Sequence, residues 1–91
     1  MTELHDAADL LPLGLARRGF VGTIRCLAAD KAQSALLDDE LEHRLIELGF
    51  VEGAKVEILH EGLVGSDPIA VRVDNVTIAI RRREAMAIIV A

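Results

Sequence analysis

Asp39, His43 and Glu47 fall at i, i+4 and i+8, the spacing that sets three side chains in one row on a helix. Imidazole and carboxylate are acceptable ligands for zinc or ferrous iron, so His43 and Glu47 could hold a divalent ion weakly. A solvated helix face carries polar residues at the same spacing, however, and the row alone assigns no metal site. His5 lies near the N-terminus and His60 at a strand end, and neither completes a ligand set. Cys26 is the only cysteine, which excludes an intramolecular disulfide and a thiolate cluster. No His or Lys motif stands beside it to lower its pKa, so it is expected to be structural rather than reactive. The two serines, Ser34 and Ser66, lie outside any nucleophile-elbow sequence, and no Gly-rich phosphate loop of the Walker or dinucleotide kind occurs. The expectation is a protein without catalytic residues, cofactor or resident metal.

Charge and composition narrow the partners. Fifteen acidic and ten basic residues give a formal charge of −5, the wrong sign for a non-specific phosphate binder. Only Phe20 and Phe50 are aromatic, too few to stack single-stranded bases. Nucleic acid is therefore not an expected partner. The runs Arg17-Arg18 and Arg81-Arg82-Arg83 read as solvated strand ends, with an anion site as the alternative. No apolar stretch reaches the roughly 18 residues of a membrane span, and Glu3, His5 and Asp6 replace the basic start of a signal peptide. A cytoplasmic protein with no membrane insertion is expected.

The elements that position these residues follow from periodicity. The chain of 91 residues suits one domain with an aliphatic core. Residues 1–19 are the hardest to place: Asp6-Ala7-Ala8-Asp9-Leu10-Leu11 could form a short helical turn, which Pro12 and Gly14 then interrupt. In 20–28, Ile24, Cys26 and Ala28 alternate with Thr23 and Arg25, which predicts a half-buried strand with Cys26 facing the core. Residues 35–48 read as one helix, with Ser34 as N-cap and Asp38, Asp39 and Glu40 in its early turns. Leu37, Leu41, Leu45 and Leu48 form its apolar stripe, and Gly49 suits a left-handed helix end. From Lys55 onward the alternation is β, with Asp74-Asn75 as a tight hairpin and 82–86 as a single helical turn before the last strand. The fold class expected is mainly β: a small barrel of about five strands with one inserted helix, leaving few free edges.

Three segments resemble the FeoA family. The helix end and turn His43-Arg44-Leu45-Ile46-Glu47-Leu48-Gly49-Phe50-Val51-Glu52-Gly53 is similar to the family's Arg-Leu-x-x-Leu-Gly-Phe pattern, with Arg44, Leu45, Leu48, Gly49, Phe50 and Gly53 in place. Gly65-Ser66-Asp67-Pro68-Ile69 resembles its Gly-Asp-Pro loop, with Ser66 inserted. Residues 78–85, with Ile88 and Val90, resemble its closing segment. Glu52 stands where Pro is common, and Asp74-Asn75 replaces a Gly-containing hairpin. The likeness covers 20–91, leaving 1–19 poorly matched.

The resemblance implies a single SH3-like domain over 1–91. Its implied partner is FeoB, a membrane GTPase and ferrous iron transporter, and its role that of a non-catalytic accessory protein. The resemblance carries over no catalytic residue. The same barrel occurs in iron-dependent repressors, so a regulatory module of a transcription system is an alternative, and a weak iron chaperone using His43 and Glu47 is another. Four residues are candidates for partner contact. Ile46 lies roughly 140° from the centre of the Leu stripe, with Leu36 on the same far side. Asp67 and Pro68 occupy the Gly-Asp-Pro loop. Self-association into a homo-oligomer is the other use for such exposed aliphatics.

Overall fold

A computed structural model describes residues 10–28 and 35–91 of the chain, with the side chains of 35–38 outside that description. In chain order the elements are β1 (Leu11–Pro12), a 3-10 turn (Leu13–Leu15), β2 (Val21–Leu27), α1 (Ala35–Glu47), β3 (Lys55–Val64), β4 (Asp67–Val73), β5 (Val76–Ile80), α2 (Arg82–Ala85) and β6 (Ile88–Val90). The strands form one antiparallel sheet in the order β1-β6-β2-β3-β4-β5. It curls into an SH3-like, barrel-like body that does not close, so β1 and β5 remain as edges. The mainly β class and the inserted helix are as the sequence implies. The sixth strand is the two-residue β1, too short to show an alternation.

The two hairpins owe their tightness to backbone that most residues avoid. Val64 pairs with Asp67 across Gly65 and Ser66, which have φ of 67° and 60°. Val73 pairs with Val76 across Asp74-Asn75, with Asp74 at φ 53°. Two-residue hairpin loops favour such left-handed conformations, and Gly, Asn and Asp adopt them at least cost. The Asp67–Pro68 peptide bond is cis.

Gly49 ends α1 as expected. Its φ is 105°, its N–H donates to the Ile46 carbonyl at 3.0 Å, and the Phe50 N–H donates to the Leu45 carbonyl at 2.9 Å. That pair of bonds is a Schellman motif, and its apolar contact is Leu45 with Phe50, both fully buried in the core. Leu48 is where the expected Leu stripe fails: it is 37% exposed while Leu45 is 0%. The helix unwinds at Leu48, and Phe50 enters the core in its place. Leu41 packs against the core as predicted. Ser34, residues 6–9 of the expected N-terminal turn and the side chain of Leu37 lie outside the described residues.

Cys26 does not face the core; it is exposed. The register of β2 on β6 shifts between Ile24 and Cys26, so the period-2 alternation breaks there. Ile24 is buried, and one residue of irregularity turns Cys26 outward. The aliphatic core otherwise collects Val56 and Ile58 of β3, Ile69, Val71 and Val73 of β4, Ile80 of β5, and Ile88 and Val90 of β6. Leu13, in the segment without periodicity, is buried with them.

Candidate functional site

Two regions hold the residues singled out from the sequence. The first is the C-terminal half of α1. Ile46 is 44% exposed there, next to the buried Leu45, and exposed Leu48 and Val51 follow it on the turn out of the helix. Glu42, His43, Arg44 and Glu47 are also exposed, so the aliphatic side chains sit in a charged setting. An ion pair between Arg44 and Glu84 ties this helix to α2. The side chain of Leu36 lies outside the described residues.

The second region is the β3–β4 hairpin. Asp67 is half-buried, and its carboxylate accepts a hydrogen bond from the Arg82 backbone N–H at 2.9 Å. It therefore anchors the start of α2. Pro68 is exposed beside it. Gly62 backs this turn: a Cβ there would lie 2.1 Å from the Asp67 carbonyl oxygen, so only glycine fits. Leu63 and Val64, at the tip, are the most exposed aliphatic residues described. Sequence reading missed them, although an apolar pair directly before a Gly-Ser turn is a visible signal.

The two regions share α2 as their link. Glu84 reaches Arg44 on one side. On the other, the Arg82 guanidinium donates to the Ser66 carbonyl at 2.8 Å and to those of Gly14 and Ala16 at 3.0 and 2.6 Å, and pairs with the Glu61 carboxylate. Arg82 is thus a half-buried staple rather than a solvated strand end. The reason lies in tertiary structure: the loop carbonyls at Gly14, Ala16 and Ser66 lack strand partners, and a planar five-donor group can serve all three. Arg81 and Arg83 are exposed.

Asp39, His43 and Glu47 are all exposed on α1. Among the described residues no three His, Cys, Asp or Glu side chains come close enough to share a metal ion. Among those residues, too, no helix is long and apolar enough to cross a membrane. The arrangement offers exposed aliphatic contact surface on a small barrel.

No protein of curated function matches the sequence. Among solved structures the chain is similar to Stenotrophomonas maltophilia FeoA, an SH3 domain protein solved with zinc, at 29% identity over 87% of each chain and a TM-score of 0.69. It is similar to Chlorobium tepidum FeoA at 30% identity, over 88% of this chain and 68% of that one, with a TM-score of 0.69. A manganese-dependent transcriptional repressor superposes with a TM-score of 0.73 over 91% of this chain and 41% of its own. At 20% identity that is a likeness of fold. The FeoA domain model matches residues 11–91, which takes in every described strand as well as the helix end and hairpin turns described above, and the chain belongs to the FeoA family, whose members are associated with ferrous iron transport.

Proposed function

We propose that this chain is a non-catalytic accessory protein that docks on the cytoplasmic part of a FeoB-type membrane iron transporter and modulates it. The FeoA match across 11–91 is the observation that carries this reading. The exposed aliphatic surface around Ile46 supports it, since a partner-binding module needs a desolvated apolar anchor. The charged residues flanking Ile46 suit the polar rim of such a contact. Asp67 takes little part, because its carboxylate is engaged with Arg82; Pro68 is the more available residue of that loop. The alternative of a transcription module is weakened by the charge of −5, which opposes a DNA contact.

Calorimetric titration of the transporter's isolated cytoplasmic domain tests the proposal. Saturable binding, weakened about tenfold or more by Ile46→Glu, is the expected result, corresponding to roughly 1.4 kcal/mol. Binding unaffected by Ile46→Glu but lost on changing Pro68 would move the contact to the hairpin. No binding by the wild-type chain would remove the proposal.

A further inference from the structure

The sheet has two edges, and they are treated differently. β1 is two residues long and contains Pro12, so that edge is blunt. β5 runs Val76-Thr77-Ile78-Ala79-Ile80 with no charge, no proline and no irregularity in its pairing with β4. Native edges are normally protected by one of those devices. Because Val73 and Val76 close a two-residue hairpin, Val76, Ile78 and Ile80 direct their N–H and C=O groups toward β4. Thr77 and Ala79 direct theirs outward, and no hydrogen bond among the described residues takes them up. Both side chains are exposed as well.

Charge at the strand's ends indicates what fits. Asp74 precedes β5 and Arg81 follows it, both exposed. A second strand of the same sequence laid antiparallel sets each end against its opposite, whereas a parallel one would set like against like. Centring the two-fold axis on Ile78 pairs Thr77 with Ala79 of the second copy and Ala79 with Thr77 of the second copy. All four outward backbone groups on each strand are then satisfied. The same register brings Arg81 opposite Asn75 of the second copy, beside its Asp74.

We propose that β5 is a self-pairing edge, on which a second copy of this chain adds its own β5 antiparallel about Ile78 to continue the sheet across a two-fold axis. The pairing is built from β5 and its flanking residues, none of which belongs to the transporter contact proposed above.

Sedimentation equilibrium from about 5 to 500 µM tests it, with folding checked by circular dichroism. The wild-type weight-average mass should rise from one chain toward two. Thr77→Pro removes an outward N–H while sparing the β4 ladder, and should raise the dissociation constant at least tenfold. Asn75→Asp places an acid opposite Arg81 and should lower that constant severalfold at low salt; Arg81→Gln should raise it, and both effects should shrink at 1 M salt. Should Thr77→Pro fail to fold, the two side-chain variants decide the matter, since neither touches the ladder. A chain that stays monomeric at 500 µM overturns the proposal, as does a dimer that none of the three changes perturbs. A monomeric wild type whose Thr77→Pro variant alone loses transporter binding also overturns it, and assigns the edge to a strand of the transporter.

Discussion

Arg82 shows how little a residue's type says about its burden. It is the middle member of three consecutive arginines, yet it alone holds three loop carbonyls and a carboxylate together. Two of those carbonyls are 66 and 68 positions away in sequence, so nothing local distinguishes it from Arg81 or Arg83. Removing its side chain strands Glu61 and the Gly14, Ala16 and Ser66 carbonyls in half-buried positions. Arg82→Ala should therefore cost about 2–4 kcal/mol, as lost bonds to a charged group. Arg82→Lys should restore less than half, because a single ammonium cannot span the fork. Arg83→Ala should stay within about 0.5 kcal/mol. Urea unfolding of the three variants checks this, and equal costs at 82 and 83 would mean that the staple adds nothing. Cys26 makes the opposite case: alternation placed it inside, and a register shift places it outside. Ellman's reagent should label it stoichiometrically in the folded protein without denaturant, and a thiol that reacts only after unfolding would restore the buried assignment.

At the scale of elements the sequence was most legible where the period is long and the punctuation strong. Helix α1 begins at Ala35 and ends at Glu47, against an expectation of 35–48. The hairpin at Asp74-Asn75 lies where two residues that tolerate positive φ separate two alternating runs. What the helical wheel could not show is the Schellman turn, which takes Leu48 out of the core and brings Phe50 in. That exchange also decides which α1 residues are free to meet a partner. Ile46→Glu should cost the fold only about 0.5 kcal/mol, as a surface change. Leu45→Ala should cost about 2–5 kcal/mol, as a truncation inside a closed aliphatic core. Denaturation midpoints of the two variants provide the comparison. An Ile46→Glu protein that unfolds would mean that the helix is buried on both faces and has no docking surface to offer.

At the scale of the molecule the least legible stretch turns out to be tied into the fold. Leu11-Pro12-Leu13-Gly14-Leu15 has neither a helical nor a strand period, and its conformation is imposed by distant partners. Leu11 and Pro12 pair with Val90 and Ile89, Leu13 is fully buried, and the 3-10 turn is held by Arg82 through Gly14 and Ala16. A Cβ on Gly14 would lie 2.4 Å from the Arg82 carbonyl oxygen, so the turn and α2 approach as closely as backbones can. The candidate contact surface depends on this arrangement, because α2 also carries the Glu84 that holds Arg44 of α1. One end of the barrel is thus strapped by a segment whose fit is long-range, which is why single-sequence periodicity passes over it. The strap should behave as one unit with its staple. Leu13→Ala should cost about 2–5 kcal/mol, and Leu15→Ala, at an exposed position two residues on, less than about 0.5 kcal/mol. The Leu13→Ala and Arg82→Ala changes should not add: once the strap has lost its apolar anchor, releasing its carbonyls costs less. The double variant should fall short of the sum by about 0.5–3 kcal/mol, the range for residues that share a structural unit. A double-mutant cycle in urea measures that shortfall. Strict additivity would show that Leu13 and Arg82 stabilise the barrel separately, and that the strap is two neighbouring contacts rather than one device.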